Sequence, residues 1–338
     1  MSTEGEGASQ TLLAYAPAWE RVCGRVATPL GSPILLERDG VIRRQGLPVD
    51  PASVRIDIGW ASPDLFMDGF ANPLLDFALA APGLRWMQSG SAGIDNPRFP
   101  RLLAKGVRVT TNHAQAVSIA DYVLAGVLDH YQRGPERRAA QRDAAWRQLP
   151  FREIAGTEWL VIGFGAIGKA VAQRARAFGA RVTGVRRTMA ERIGADEVVP
   201  PEALPMLLPK ADIVVLTLPL GVETRDYADA DFFARLKPGC VFVNVARGLL
   251  VDEAALLAAL DRGMVGHAVL DVCRAEPLPD DSPLWRHPKI ALTGHLAGMG
   301  SGLLARSDLL FLENLGRFLS DRPLLHEARP EGDCRADG

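Results

Sequence analysis

The chain has 338 residues, and 48% of them are apolar, so it can bury a sizeable core and two domains are the natural expectation. Its 38 Lys and Arg stand against 40 Asp and Glu, a net charge of −2, which excludes the global positive field that nucleic acid or an anionic membrane surface requires. No run of ~18 apolar residues is present to span a bilayer, and the acidic Met1–Gln10 lacks the basic and apolar segments of a signal peptide, which points to the cytoplasm.

Residues 1–9 and 327–338 are polar and read as frayed termini. From about 11 to 113, short apolar runs alternate with helical stretches. Thr11–Tyr15, Pro33–Leu36 and Arg55–Trp60 read as strands, and Pro73–Ala81 as a helix. Arg85–Gln88 and Val107–Thr110 are further strands, with a short helix at Pro100–Lys105 between them. This alternation predicts a parallel α/β sheet. Ile119, Val123, Leu124, Val127 and Leu128 fall at helical spacing within Ser118–Arg133, a helix that leaves the first domain for the second. The polar stretch 134–150 reads as a surface excursion. Beyond it, Glu158–Ile162, Arg181–Val185, Ile213–Leu216, Cys240–Asn244, Ala268–Leu270 and Ile290–Leu292 are buried strands. Helices are expected at Ala166–Phe178, Glu253–Asp261 and Leu303–Leu319.

The four cysteines, Cys23, Cys240, Cys273 and Cys334, form no C-x-x-C pair and are expected as reduced, mostly buried thiols. His113, His130, His267, His287, His295 and His326 show no H-x-x-x-H or Cys–His clustering, so no metal site is expected.

Gly163-Phe164-Gly165-Ala166-Ile167-Gly168 is a G-x-G-x-x-G set between a strand and a helix. Gly163 permits the tight turn, Gly165 lets backbone approach a pyrophosphate, and Gly168 lets helix and strand pack closely. The helix N-terminus adds unpaired N–H groups and a positive dipole end; a glycine-rich turn without a ligand is the alternative. At the end of the next strand, an NAD site usually has an acid on the ribose hydroxyl. Here Arg186, Arg187 and Thr188 occupy that place, which predicts NADP(H) over NAD(H), with the arginines on the 2′-phosphate. A solvated arginine pair is the other reading.

Three loops that follow strands place charged residues where ligands bind an open α/β sheet: Arg247 in Asn244-Val245-Ala-Arg247, Glu276 after Asp271, and His295 after Gly294. Reduction of a ketone needs a proton beside the hydride, and His is suited to deliver it. A carboxylate on the other ring nitrogen orients the imidazole, and an arginine clamps a substrate carboxylate and polarises the carbonyl. Taken singly, each residue also fits a structural role.

On the glycine turn and these three loops together, the chain resembles the D-isomer-specific 2-hydroxyacid dehydrogenases over roughly residues 54–320. The resemblance implies an α/β fold of two Rossmann-like, doubly wound parallel-sheet domains with an interdomain cleft. A substrate domain of 1–113 and 296–338 would carry an inserted dinucleotide-binding domain of 114–295. It implies Arg247 as substrate arginine, Glu276 as the acid paired with histidine, and His295 as general acid/base. Ser91, Ala92 and Gly93 match a loop holding the substrate carboxylate; Asp271 matches a residue near the nicotinamide carboxamide; Leu218, Pro219 and Val245 match cofactor-flanking positions. Trp60 falls where some members place a substrate-side aromatic, although core packing explains it as well. Gly294 departs from the proline many members have, and Glu276 departs from the amide of formate dehydrogenases, which makes formate a poor substrate. The expected activity is NADPH-dependent reduction of a small 2-oxo acid, of glyoxylate or hydroxypyruvate type, by a homodimer. The alternatives are a silent, corepressor-like dinucleotide sensor and oxidation of a non-carboxylate anion such as phosphite.

Overall fold

The computed structural model describes residues 9–27, 30–188 and 194–328, which divide into two compact units, 1–115 with 301–338, and 116–300. Cys334 and the outer parts of both expected frayed termini lie outside the described residues.

The first unit begins with β1 (Leu12–Tyr15), α1 (Ala16–Val22), β2 (Ile34–Leu36), β3 (Ile42–Arg44), β4 (Leu47–Pro48) and β5 (Ile58–Ala61). It continues through α2 (Pro63–Met67), α3 (Ala71–Ala80), β6 (Trp86–Ser89), α4 (Arg98–Ala104) and β7 (Arg108–Thr110). The strands β2-β1-β5-β6-β7 pair in parallel in that spatial order. Buried on both faces, β1 and β5 read as unbroken buried runs rather than alternations. The edge hairpin β3–β4 went unforeseen. Gln45 and Gly46 turn it with φ of +51° and +80°, the pair of positive φ values a two-residue hairpin loop requires.

The second unit contains α5 (Ala116–Tyr131), α6 (Gly134–Arg142), β8 (Glu158–Ile162), α7 (Ala166–Ala177), β9 (Arg181–Val185) and β10 (Glu197–Val199). Then follow α8 (Leu204–Leu207), β11 (Ile213–Leu216), α9 (Ala230–Ala234), β12 (Cys240–Asn244), α10 (Glu253–Arg262), β13 (Val265–Leu270) and β14 (Ile290–Leu292). Its sheet is parallel throughout in the order β10-β9-β8-β11-β12-β13-β14, so the strand order reverses between β8 and β11. One apolar cluster covers each face: Val123, Val127 and Val171 lie in one, and Leu256, Phe233 and Phe242 in the other. At the edge where strands begin, Asp212 accepts from the Glu158 amide (3.0 Å), Arg152 (2.7 Å) and Lys237 (2.7 Å). Burial works against that carboxylate, but the three donors outweigh it and hold its pKa below the usual value.

The chain then returns to the first unit with α11 (Leu303–Leu319) and β15 (Glu327–Ala328). Phe311 of α11 stacks on Trp60 with ring centroids 3.9 Å apart, and Trp60 is wholly buried, so it is a core residue and no substrate-side aromatic. Glu327 and Ala328 pair antiparallel with β7, and Arg108 grips Glu327 at 2.7 Å, so the expected fraying does not reach those two residues. The excursion 134–150 is also partly ordered, as α6. Only Gly134 and Ala140 of α6 are buried, which is why no apolar period revealed it. Among the described cysteines Cys240 and Cys273 are buried, while Cys23 is exposed. No described helix is long and apolar enough to cross a membrane.

Candidate active site

The glycine turn joins β8 to α7 at the strand-order reversal, where open α/β sheets bind ligands. Each glycine has its own steric reason. Gly163 has φ +97°, and a Cβ there would lie 2.6 Å from the Thr217 carbonyl carbon and 2.7 Å from Leu218 N. A Cβ on Gly168 would lie 2.6 Å from Gly163 O, so helix and strand approach too closely for any side chain. Gly165 faces open space. It caps α7 without a side chain, no acid occupies the helix's first turn, and Ala166, Ile167 and Gly168 lie ahead of the first helical hydrogen bonds. Those three amides and the open face of Gly165 fit a pyrophosphate. Phe164 does not take part in the way the sequence suggested. Its ring is buried over Gly184 of β9, and its N–H donates to Val185 O at 3.0 Å. It plugs the core beneath the turn.

The residues expected to select the cofactor separate. Arg186 is partly buried, and its guanidinium makes no hydrogen bond or ion pair among the described residues. Arg187 is an exposed side chain 3.7 Å from the exposed Glu223. Thr188 is exposed. Leu218 abuts the turn through its backbone, Pro219 accepts from Thr224 Oγ1 at 2.9 Å, and the Val245 side chain is buried in the core beside α5. Any part Val245 plays toward a ligand falls to its backbone.

Arg247, Glu276 and His295 follow β12, β13 and β14, three adjacent parallel strands whose ends align: Asn244 faces Leu270, and Leu270 faces Leu292. Asn244 fixes the first loop by accepting from Ala246 N (3.1 Å) and donating to Arg247 O (3.0 Å). Gly248 is obligatory because a Cβ there would fall onto the Cys273 backbone, so the first loop packs directly on the second. In that second loop the Cys273 amide donates to Glu276 Oε1 at 3.0 Å, and the Arg274 amide donates to Glu253 Oε1 of α10 at 2.7 Å. Burial pushes the Cys273 thiol up to about 12, so this cysteine is an inert spacer. The other carboxylate oxygen, Glu276 Oε2, lies 2.8 Å from His295 Nδ1. His295 is 52% exposed, with φ +55°. With Nδ1 turned to the carboxylate, Nε2 is the nitrogen left to exchange a proton.

Asp271 sits beneath the third loop, 3% exposed. Its carboxylate accepts from Thr293 Oγ1 (2.7 Å), Leu296 N (2.8 Å) and Ala297 N (3.0 Å), and its carbonyl accepts from His295 N (2.7 Å). In the first unit, taken alone, Ser91 N–H donates to Ser89 Oγ at 3.1 Å and Ser91 Oγ donates to Gly93 O at 2.7 Å. Ser91 is thus a brace within its loop, and Ala92 and Gly93 carry the amides that remain.

Comparison with known proteins places the fold in a family. The sequence profile described as "D-isomer specific 2-hydroxyacid dehydrogenase, NAD binding domain" matches residues 124–297. A crystal structure of a D-isomer specific 2-hydroxyacid dehydrogenase from Xanthobacter autotrophicus Py2, in complex with NADPH and MES, is 32% identical, with a TM-score of 0.75 over 95% of this chain and 98% of that one. The chain belongs to this family. It is a family of oxidoreductases. The NADPH-dependent glyoxylate/hydroxypyruvate reductase of Sinorhizobium meliloti, solved with NADP and sulfate, is 25% identical, with a TM-score of 0.72 over 95% of this chain and 98% of that one. Glyoxylate/hydroxypyruvate reductase A of Salmonella paratyphi B is 42% identical over 98 residues, 29% of this chain and 31% of that protein. The alignment therefore spans about a third of that curated relative's length.

Within this 2-hydroxyacid dehydrogenase fold, sequence reasoning missed several contacts. Gly184 makes room for Phe164, Glu253 pins the loop that carries Glu276, and Tyr122 of α5 stands 2.6 Å from Thr293 Oγ1. A glycine inside a strand run is the one local signal that pointed to any of them.

Proposed function

We propose that this protein reduces a small 2-oxo acid of glyoxylate or hydroxypyruvate type to the D-2-hydroxy acid, with NADPH as the preferred donor. The observation that carries the reading is the His295–Glu276 pair at 2.8 Å, set on the strand edge that also bears Arg247. The NADP(H)-containing relatives support the cofactor half of the proposal, as does the Arg186 guanidinium standing where an NAD enzyme usually has an acid.

Ala166, Ile167 and Gly168 would hold the pyrophosphate by their amides, and Arg186 the 2′-phosphate, with Arg187 as an exposed second cation. When bound, the nicotinamide would supply the hydride needed at the substrate carbonyl carbon. His295 Nε2 gives its proton to the carbonyl oxygen, and the Glu276 carboxylate balances the ring's charge while it carries two protons. Arg247 clamps the substrate carboxylate and polarises the carbonyl. Asp271 is the residue assigned to the nicotinamide carboxamide side. A cytoplasmic homodimer completes the proposal.

The experiment is an NADPH- and NADH-oxidation assay against a panel of 2-oxo acids. Turnover of glyoxylate or hydroxypyruvate, faster with NADPH, is the expected result. Binding of dinucleotide without turnover of any 2-oxo acid would leave the sensor reading in its place.

A further inference from the structure

The His295 loop is held from below by a chain of polar contacts that reaches the opposite side of its own turn. Tyr122 OH, on α5, lies 2.6 Å from Thr293 Oγ1. Thr293 Oγ1 in turn donates to Asp271 Oδ1 at 2.7 Å. Thr293 has one hydroxyl proton and gives it to the carboxylate, so the tyrosine must donate to the threonine oxygen. Asp271 Oδ1 also receives the Leu296 amide at 2.8 Å, immediately after the histidine. A second link from α5 binds the far end of the loop, where Ser118 Oγ donates to Gly298 O at 3.0 Å.

This bracing has a reason. His295 has φ +55°, a left-handed conformation that a residue with a Cβ adopts at a cost, so the surroundings must impose it. Gly294 precedes it, and among the described residues a Cβ there would meet no atom, so no side chain at that position holds the backbone before the histidine. Hydrogen bonds in series strengthen one another, and Asp271 accepts most firmly when each donor is held in place.

We propose that Tyr122 and Thr293 are positioning residues for His295: the Tyr122–Thr293–Asp271 chain sets the angle at which the imidazole is presented. The inference rests on His295 as proton donor. It predicts that losing one hydroxyl that does not itself bond the imidazole slows the proton-transfer step more than it weakens cofactor binding.

The variants are Tyr122→Phe and Thr293→Val, each deleting a hydroxyl at nearly constant volume, with Thr293→Ser restoring the hydroxyl. A misplacement of under an ångström at a reacting group costs on the order of 10- to 100-fold, so kcat should fall by about that much in Thr293→Val and by about 5- to 20-fold in Tyr122→Phe. Thr293→Ser should recover to within about threefold of the parent, and the KM for NADPH should change by less than kcat throughout. The double variant should be no worse than Thr293→Val alone, because the tyrosine acts only through the threonine. An unchanged kcat in both deletions, equal losses in Thr293→Val and Thr293→Ser, or multiplicative losses in the double variant would overturn the proposal.

A second readout does not depend on the substrate. In 15N-histidine spectra of the full chain, the ring signals lost in His295→Gln identify residue 295. Those signals should shift or broaden in Tyr122→Phe and Thr293→Val and return toward the parent in Thr293→Ser. Identical ring signals in all variants sink the positioning role even if a 2-oxo acid is turned over. Shifted signals in a protein that reduces no 2-oxo acid leave the positioning intact and remove the proposed reaction.

Discussion

The two edges of the second sheet are built from similar residues and arranged in opposite ways. At the edge where strands begin, Asp212 is a buried carboxylate with three donors, and its polar partners are engaged. At the edge where strands end, the first amides of α7 lie ahead of its first helical hydrogen bonds, the Arg186 guanidinium makes no ion pair among the described residues, and His295 holds a left-handed backbone. The first arrangement stabilises the fold. The second keeps unsatisfied capacity where a ligand would complete it. Burial alone does not separate them, since Asp271 is as buried as Asp212. What separates them is whether the satisfied group supports a neighbour that still faces outward.

The comparison breaks most visibly at His295. His295→Ala should lower kcat by about 10²- to 10⁴-fold, while NADPH binding, measured by fluorescence titration, stays within about twofold. An unaltered kcat would mean that the outward-facing imidazole is ornamental. Arg186→Asp comes next. Removing a charge-assisted contact worth about 1.5–3 kcal/mol should cut the NADPH-over-NADH preference in kcat/KM by about 10- to 150-fold. An unchanged ratio would return Arg186 to the solvated surface.

Much of this was legible in the sequence, and the legible parts share a cause. Buried parallel strands such as Ile213–Leu216 and Cys240–Asn244 are continuous apolar runs, and the glycine turn has local steric requirements, so both leave marks within a few residues. The edge hairpin and α6 left none, because the hairpin strand Ile42–Arg44 is only partly buried and α6 is polar on nearly every face. Long-range pairs left none either. His130 stacks on His267 with ring centroids 4.2 Å apart, and His113 lies 3.9 Å from His326, although no spacing in the chain links them. The Tyr122–Thr293 contact is of the same kind, formed across 171 residues. A role that depends on one local backbone shape can be read from a sequence; a role that depends on two elements meeting can be read only where a known family already pairs them, as it does Glu276 and His295.

Asp212→Asn sharpens the contrast from the other edge. The amide keeps the shape but gives up charge-assisted bonds to Arg152 and Lys237, which should cost about 1–3 kcal/mol in urea unfolding. Its kcat should match the parent, the reverse of His295→Ala. Because the folded pKa of Asp212 is depressed, its contribution is present above the ordinary aspartate value and is lost as pH falls through the depressed one. The variant should therefore lose less stability than the parent on acidification. A large fall in kcat at unchanged stability would show that the two edges are not separate.

The smallest effect belongs to the His130–His267 stack, which joins α5 to β13. Burial lowers both imidazoles, and His267 falls to about 4 from 6.5. For His267 the nearby His130 adds to the fall, and Asp129 partly opposes it; around His130, Glu136 and Asp129 oppose burial while Arg152 adds to it. An imidazole with a folded pKa below its free value leaves the unfolded chain holding the extra proton. Its contribution is thus full above pH 6.5 and drains away as the pH falls toward 4. His267→Phe keeps a ring against His130 and removes the titration. Urea unfolding at pH 7.5 and at pH 5 should show the parent losing about 1 kcal/mol more than the variant, the full shift being discounted for partial exposure. Equal losses would assign the acid sensitivity of this unit to other groups, and a parallel drop in kcat would tie the stack to the outward-facing edge after all.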